Sequence, residues 1–185
     1  MTPIPPQPED SVDDAGWFDA AYRDHFDYVW HSVRRLGARS GDVEDLVHDI
    51  FVTLYHTRAR VDRRRALRPW IFGITARKLS DYRRQARFRR EVAARAREPA
   101  DPAPLPPELV DQRRKRALVL AALEELPYPQ RVIFVMVELQ GHSVVEASRA
   151  LEEKENTLYS RLRLARKAFA TAAKRQLASS KGASC

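Results

Sequence analysis

The residues of this chain that could carry out chemistry are five histidines, one cysteine and many arginines that lie next to aromatic rings. The histidines have no metal-ligand spacing; they are His25, His31, His48, His56 and His142. Cys185 is the last residue, so a disulfide framework is excluded and a reducing cytoplasm fits. The sequence has no glycine-rich phosphate loop and no Ser-His-Asp grouping. We therefore expect a protein that is not an enzyme and that has no metal and no cofactor.

Charge is distributed unevenly along the chain. The formal net charge is +8, but residues 1–50 carry four basic and eleven acidic side chains, whereas residues 58–99 carry fifteen basic and four acidic ones. A run of charge is often no more than a solvated face. A block this basic beside aromatic residues favours a polyanionic partner, most simply a nucleic acid.

The basic segment interleaves cations with aromatic rings. Phosphates attract the cations and unpaired bases stack on the rings, which is how proteins hold single strands. The candidate residues are Arg65, Trp70, Lys78, Tyr82 and Arg83, with Arg63, Arg64 and Phe72 beside them. For Trp70, a position in the hydrophobic core is at least as good an interpretation as a position that binds DNA. Phe72 lies off the apolar stripe of its helix, so we expect its ring to be exposed.

Proline-rich stretches divide the chain into parts. We expect a disordered acidic leader at 1–14, a stiff linker with five prolines at 98–108 and a frayed tail at 177–185. Two helical modules remain, at 15–97 and 109–176. The composition favours helices and no strand-like alternation is long enough for a sheet. The predicted fold is all-α, with two small helical domains joined by the proline-rich linker.

The segment SGDVEDLVHDIFVTLYH predicts an amphipathic helix in the first module. Its apolar positions form one stripe of helical period: Val43, Leu46, Val47, Ile50, Phe51, Leu54 and Tyr55. Asp42 is expected to cap its start. The polar side is acidic and carries Asp45, His48 and Asp49, which suits docking on another protein better than binding DNA. A solvated face is the alternative.

The second module predicts a helix-turn-helix. Ser143 and Glu146 form the S-x-x-E pattern of a capping box, a short polar turn follows, and a basic helix begins near Asn156. The core side of that helix is Leu158, Leu162, Ala165 and Phe169, and the opposite side is Tyr159, Ser160, Arg163, Arg166 and Lys167. Such a face fits the major groove of DNA. The alternative is an ordinary amphipathic surface helix. The turn between the two helices also departs from the usual motif, because it has no glycine.

Three segments carry a family resemblance, and their order along the chain is its most specific feature. They are DVEDLVHDIFVTLY, LRPWIFGITARKLSDYRRQ and LEELPYPQRVIFVMVELQGHSVVEASRALEEKENTLYSRLRLARKAF. Over residues 15–172 the chain resembles the extracytoplasmic-function sigma factors of the sigma-70 family. This sequence departs from the usual family pattern at Arg77, Asn156 and Leu164. These departures leave open which promoter sequence is recognised, and they do not weaken the resemblance to the family.

The resemblance implies a transcription initiation factor that binds core RNA polymerase and recognises and melts promoter DNA. Its expected partners are the β′ clamp helices, the β flap, promoter DNA and an anti-sigma factor. The expected location is the cytoplasm, where that partner could hold the protein at the inner face of the membrane without direct insertion. The family's polymerase-binding positions correspond here to Asp45, His48 and Asp49. The positions that bind the −10 element as single-stranded DNA correspond to Arg65, Trp70, Lys78, Tyr82 and Arg83. The positions that bind the −35 element correspond to Thr157, Tyr159, Ser160, Arg163, Arg166 and Lys167.

Two other functions remain open from the sequence. A stand-alone helix-turn-helix regulator would not need the acidic helix or the first module. A general RNA-binding basic protein would bind unrelated RNA and DNA equally.

Overall fold

The structure, a computed structural model, describes the backbone of residues 11–92 and 107–182 and the side chains of residues 16–85 and 112–179. Within these ranges the chain is helical and has no strand. The helices are α1 (Ser11–Arg35), α2 (Val43–Thr57), α3 (Leu67–Val92), α4 (Pro107–Glu124), α5 (Tyr128–Phe134), α6 (Val144–Leu151) and α7 (Glu155–Gly182). The all-α prediction is confirmed for the described residues.

The helix ends differ from the predicted module boundaries. Helix α1 begins at Ser11, inside the segment 1–14 that was expected to be disordered, and α7 continues to Gly182, inside the expected tail. Helix α4 begins at Pro107, which is favourable because proline lacks the N–H that a first helical turn leaves unpaired. Most of the expected linker at 98–108 lies outside the described residues.

Helices α1, α2 and α3 form the first module around the apolar stripe of α2. The stripe is confirmed from Val43 to Leu54, where every predicted position is buried, whereas Tyr55 is 42% exposed. The exposure of Phe72 was predicted wrongly, because its ring is fully buried in α3. Residues 71–76 of α3 are all buried. The apolar stripe of α3 packs in the first module, and the other side of α3 is covered by helix α6 of the second module.

Asp42 does not cap α2 as the sequence suggested. No side-chain hydrogen bond is formed at that N-terminus. The Asp42 carboxylate instead accepts a hydrogen bond of 2.6 Å from the Tyr82 hydroxyl of α3. The Asp42 carboxylate therefore accepts from the side chain of a distant residue and not from the backbone N–H groups at the start of α2.

Helices α4 to α7 form the second module. The capping box at the start of α6 is confirmed: Ser143 Oγ accepts from the Glu146 amide at 3.2 Å, and the Glu146 carboxylate accepts from the Ser143 amide at 2.8 Å. Helix α5 continues as a π-helical turn over Val135–Leu139 and ends at Gly141. The φ angle of Gly141 is +76°, a conformation that glycine adopts readily because it has no Cβ atom. The turn after α6 uses Glu152 at φ 58° in place of a glycine.

The two modules pack against each other and share one hydrophobic core. Helix α6 lies across α3, and the Tyr128 hydroxyl at the start of α5 donates a hydrogen bond of 2.7 Å to the Ala76 carbonyl of α3. This contact between modules was not foreseen from the sequence, which indicated two domains and left their arrangement open.

Candidate nucleic-acid and docking surfaces

Helix α2 presents an acidic surface to solvent. Because its apolar stripe is buried, the opposite side of the helix faces outward, and Asp45, His48 and Asp49 are all exposed there together with Glu44. The side chains of Val52 and Tyr55 continue this surface and are 39% and 42% exposed. The structure therefore brings the three candidate docking residues together on an exposed acidic face that also includes two apolar side chains. Such a face is complementary in charge to a basic partner surface.

The basic side of α3 lies along a groove near Trp70. Arg60, Arg77 and Lys78 supply cations to this groove, whose volume is about 340 Å³ and whose lining includes Trp70. The carboxylates of Asp81 and Glu152 also line it, and Glu152 belongs to the second module and pairs with Arg77 at 3.5 Å. Trp70 is half-buried, and its indole N–H has no hydrogen-bond partner among the described residues. A half-buried ring with neighbouring cations can stack an unpaired base while the cations hold its phosphates.

Tyr82 and Arg65 are each engaged by a carboxylate. The hydroxyl of Tyr82 donates to Asp42, and burial together with this bond raises the pKa of Tyr82. Arg65 pairs with Asp62 at 3.0 Å in an exposed turn, a pair that contributes little to stability because water screens it. Tyr82 thus has a structural role in joining α3 to the start of α2.

Arg83 points toward the second module rather than toward open solvent. Its guanidinium carbon lies 5.0 Å from the centre of the Tyr128 ring, a cation–π distance. Of the five candidate residues for single-strand binding, Trp70 and Lys78 share one groove, whereas Arg83 faces the contact between modules.

Helix α7 separates a buried core side from an exposed side, as predicted. Leu158, Leu162 and Ala165 are buried, and Phe169 stacks on Phe134 with the ring centres 4.5 Å apart. The outward side exposes every candidate −35 residue: Thr157, Tyr159, Ser160, Arg163, Arg166 and Lys167.

The cations of α7 differ in how they are held. Arg166 donates from Nε and Nη2 to one carboxylate oxygen of Glu138, at 2.9 and 2.7 Å. Arg161 pairs with Glu153 at 2.6 Å and is half-buried. The exposed Arg163 has no hydrogen bond or ion pair with another described residue, so it can reach a base edge without breaking a contact.

No cluster of His, Cys, Asp or Glu within the described ranges could hold a metal ion. None of the helices that the structure describes is both long and apolar enough to cross a membrane.

Comparisons with known proteins match both modules in order. The model of sigma-70 region 2 matches residues 21–89, and that of sigma-70 region 4 matches residues 110–169. The RNA polymerase sigma factor NccH of Alcaligenes xylosoxydans xylosoxydans is 30% identical over 73% of this chain and 75% of its own length. The chain belongs to the sigma-70 family. Its relatives include extracytoplasmic-function sigma factors: SigL of Mycobacterium tuberculosis is 28% identical over 84% of this chain and 88% of SigL.

A solved structure supports the fold of this sigma factor. The sigma factor RpoE, in complex with the anti-sigma factor NepR from Bartonella quintana, covers 85% of this chain and 96% of its own with a TM-score of 0.61 and 20% identity. The all-α fold of two helical parts is thus shared with a family member.

Sequence reasoning missed several residues of this sigma factor that lie between the modules. They include Tyr28, Gly73, Arg131 and Gln140. One signal was present: Gly73 stands inside a helix, where glycine is unfavourable unless close packing requires it. The others carry no local pattern, since their partners are distant in sequence.

Proposed function

We propose that this chain is an alternative sigma factor that binds core RNA polymerase, directs it to specific promoters and promotes melting of the DNA. The observation that carries the proposal is the order of the two sigma-70 regions, each on a module with a surface of suitable charge. It acts by binding rather than by catalysis, and it requires no cofactor.

The acidic face of α2 docks on the polymerase. Asp45, His48 and Asp49 are exposed together there, and the resemblance relates this segment to the one that binds the β′ clamp helices. The second module contacts the β flap. This division leaves the basic side of α3 for DNA.

The −10 element is held as a single strand along α3. Trp70 offers a ring for stacking, and Lys78 lies in the same groove, where it can neutralise a phosphate. The resemblance adds Arg65, Tyr82 and Arg83 to this surface. Of these, Arg83 now lies against the Tyr128 ring and Tyr82 donates to Asp42, so Arg83 would have to leave its contact to reach DNA. Bases bound in this way offset part of the cost of unpairing, which is about a few kcal/mol.

The −35 element is read by α7 in the major groove. Tyr159, Ser160 and Arg163 lie near the start of the helix, where side chains reach base edges. Thr157 precedes them. Arg166 and Lys167, one turn further along, contact phosphates, which fix the register of the helix without reading sequence.

An anti-sigma factor regulates the protein. The RpoE structure contains such a partner, which supports the same mode of control here. The protein acts in the cytoplasm, and a membrane-bound partner would hold it at the inner face of the membrane. The predicted modules at 15–97 and 109–176 are the units on which these activities reside.

Run-off transcription with purified core polymerase on a genomic library tests this function. We expect transcripts from a limited set of promoters with shared −35 and −10 sequences. Promoter binding without any association with core polymerase would instead identify a stand-alone regulator. Equal binding of unrelated RNA and DNA would identify a general nucleic-acid-binding protein.

A further inference from the structure

Leu164 is a residue of α7 that the proposed function leaves without a role. Its side chain is 46% exposed, although leucine is among the residues that folding usually buries. It follows Arg163, which is proposed to read a base, and precedes Arg166, which is proposed to hold a phosphate. Because an apolar side chain can neither donate nor accept a hydrogen bond, Leu164 needs a different partner from those of its neighbours.

The core packing of α7 determines where Leu164 points. Leu158, Leu162 and Ala165 are buried on the core side of the helix. An α-helix turns by about 100° per residue, so Leu164 lies about 130° from the centre of that buried side and about 40° from Ser160. Leu164 therefore belongs to the outward face that is proposed to enter the major groove.

The spacing along the helix axis places Leu164 within reach of base edges. From Thr157 to Leu164 the helix rises by about 10 Å, at about 1.5 Å per residue. The major groove of B-form DNA is about 12 Å wide, so this stretch of α7 fits between the two phosphate backbones. Leu164 can therefore lie opposite a base pair when Thr157 is also inside the groove.

The neighbouring side chains leave Leu164 uncovered. On a helix the surface neighbours of a residue lie three and four positions away, and here Ser160 and Lys167 are both exposed. Arg161 pairs with Glu153 of the preceding turn at 2.6 Å, which directs its guanidinium toward the turn. Leu164 thus stands among polar side chains, whereas a protein-docking site would present a contiguous apolar patch.

The edges of base pairs offer one apolar group in the major groove, the 5-methyl group of thymine. Guanine, adenine and cytosine present acceptors and donors there, which Leu164 would shield from water without replacing their lost hydrogen bonds. Opposite thymine, the leucine side chain and the methyl group leave water together, which is favourable. Leu164 therefore discriminates in two ways, by its attraction to thymine and by the penalty at the other bases.

We propose that Leu164 is a specificity-determining residue that selects a thymine of the −35 element through its 5-methyl group. This inference rests on the proposed function and names the chemistry of one base pair that α7 reads. Arg163 and Leu164 lie on the two sides of Ser160 on the outward face. Since base pairs are about 3.4 Å apart, the selected thymine lies within about two base pairs of the base that Arg163 contacts.

Deoxyuridine tests the methyl contact without any change in the protein. Holoenzyme that contains the full chain is titrated with a labelled promoter identified by run-off transcription. Each thymine of its −35 element, on either strand, is replaced singly by deoxyuridine, which lacks only the 5-methyl group. We expect one replacement to weaken binding by about fourfold, which corresponds to the loss of about one buried methyl group. Equal binding of all the substituted promoters would overturn the proposal.

Two substitutions test the role of the side chain. Leu164→Ala should make binding insensitive to that deoxyuridine, because the shortened side chain no longer reaches the methyl group. Leu164→Arg should shift the preference at the same base pair from thymine to guanine, since a guanidinium can donate to both O6 and N7 of guanine. Selection from promoters randomised at the −35 element measures these preferences. A thymine preference and a deoxyuridine effect that persist in Leu164→Ala would overturn the role of Leu164.

Leu177→Ala is the matched control. Leu177 is 50% exposed on the same helix, about 20 Å further along its axis, so its truncation removes a similar side chain away from the groove. This variant should keep the wild-type preference at every position, and a lost thymine preference would show that the effect comes from the helix as a whole. Absence of any −35 preference in the wild-type holoenzyme would overturn the proposed function and this inference with it. A −35 preference that neither deoxyuridine nor Leu164→Ala alters would overturn this inference alone.

Discussion

At the scale of single residues, the proposed binding residues of this sigma factor differ in whether their side chains already contact another part of the protein. Asp45, His48 and Asp49 are exposed on α2, whereas Tyr82 and Arg83 each contact another part of the fold. Residues without internal partners can bind another molecule at little cost. Residues with internal partners must first give up a contact, or must keep it and act indirectly.

Asp49→Lys should abolish binding to core polymerase and leave the fold intact. The side chain is exposed on the acidic face of α2, so reversal of its charge repels a basic partner without disturbing the core. Holoenzyme assembly measured by gel filtration checks the first part, and circular dichroism checks the second. Asp19→Lys, an exposed acid of α1, is the control and should assemble; normal assembly of Asp49→Lys would remove α2 from the polymerase interface.

Arg163→Ala should weaken binding to the −35 element by about 1–3 kcal/mol and relax sequence preference at one position. The guanidinium is exposed and makes no internal contact with the described residues, so its loss removes only contacts to DNA. Competition binding with promoter variants measures both effects. Lys174→Ala, an exposed cation further along α7, should leave sequence preference unchanged. If Arg163→Ala behaves like Lys174→Ala, Arg163 does not read a base.

At the scale of helices, local sequence signals succeed where their partners are near in the chain. The capping box of α6 forms because Ser143 and Glu146 are three residues apart and need no other element. The expected cap of α2 fails because Tyr82, forty residues away, takes the Asp42 carboxylate. Glu152 shows a third case, in which the turn of the helix-turn-helix is made by a non-glycine residue at φ 58°.

Ser143→Ala should lower the free energy of unfolding by about 1 kcal/mol, because the amide of Glu146 loses its acceptor at the start of α6. Thermal unfolding followed by circular dichroism measures the change. Ser160→Ala removes an exposed hydroxyl of α7 that caps nothing and should leave the melting temperature nearly unchanged. Equal melting temperatures for both variants would show that the capping box contributes nothing to stability.

At the scale of the whole molecule, two modules that each have a proposed DNA-binding surface are held together by one core. The acidic face of α2 and the cations of α3 belong to the same module, so under the proposed function a single unit docks on protein and holds DNA.

Promoter binding by the holoenzyme should weaken steeply with salt. If the five cations assigned to phosphates, Arg65, Lys78, Arg83, Arg166 and Lys167, each neutralise one, affinity should fall by about a hundredfold or more between roughly 50 and 200 mM salt. Fluorescence anisotropy with a labelled promoter measures the slope. Neutralising one of the five, as in Lys167→Ala, should reduce the slope by about one unit. A flat response would contradict an interface dominated by phosphate contacts.

The sequence alone determined the helical class, the apolar sides of α2 and α7, the capping box of α6 and the order of the two sigma-70 segments. These features depend on residues within a few turns of each other, where periodicity and spacing carry the information. The tertiary structure decided the burial of Phe72, the partner of Asp42 and the contact between the modules around Gly73 and Arg131. In each of these cases the contacting groups are separated by tens of residues. Their meeting depends on how whole helices pack, and a local signal such as a glycine inside a helix does not identify the partner.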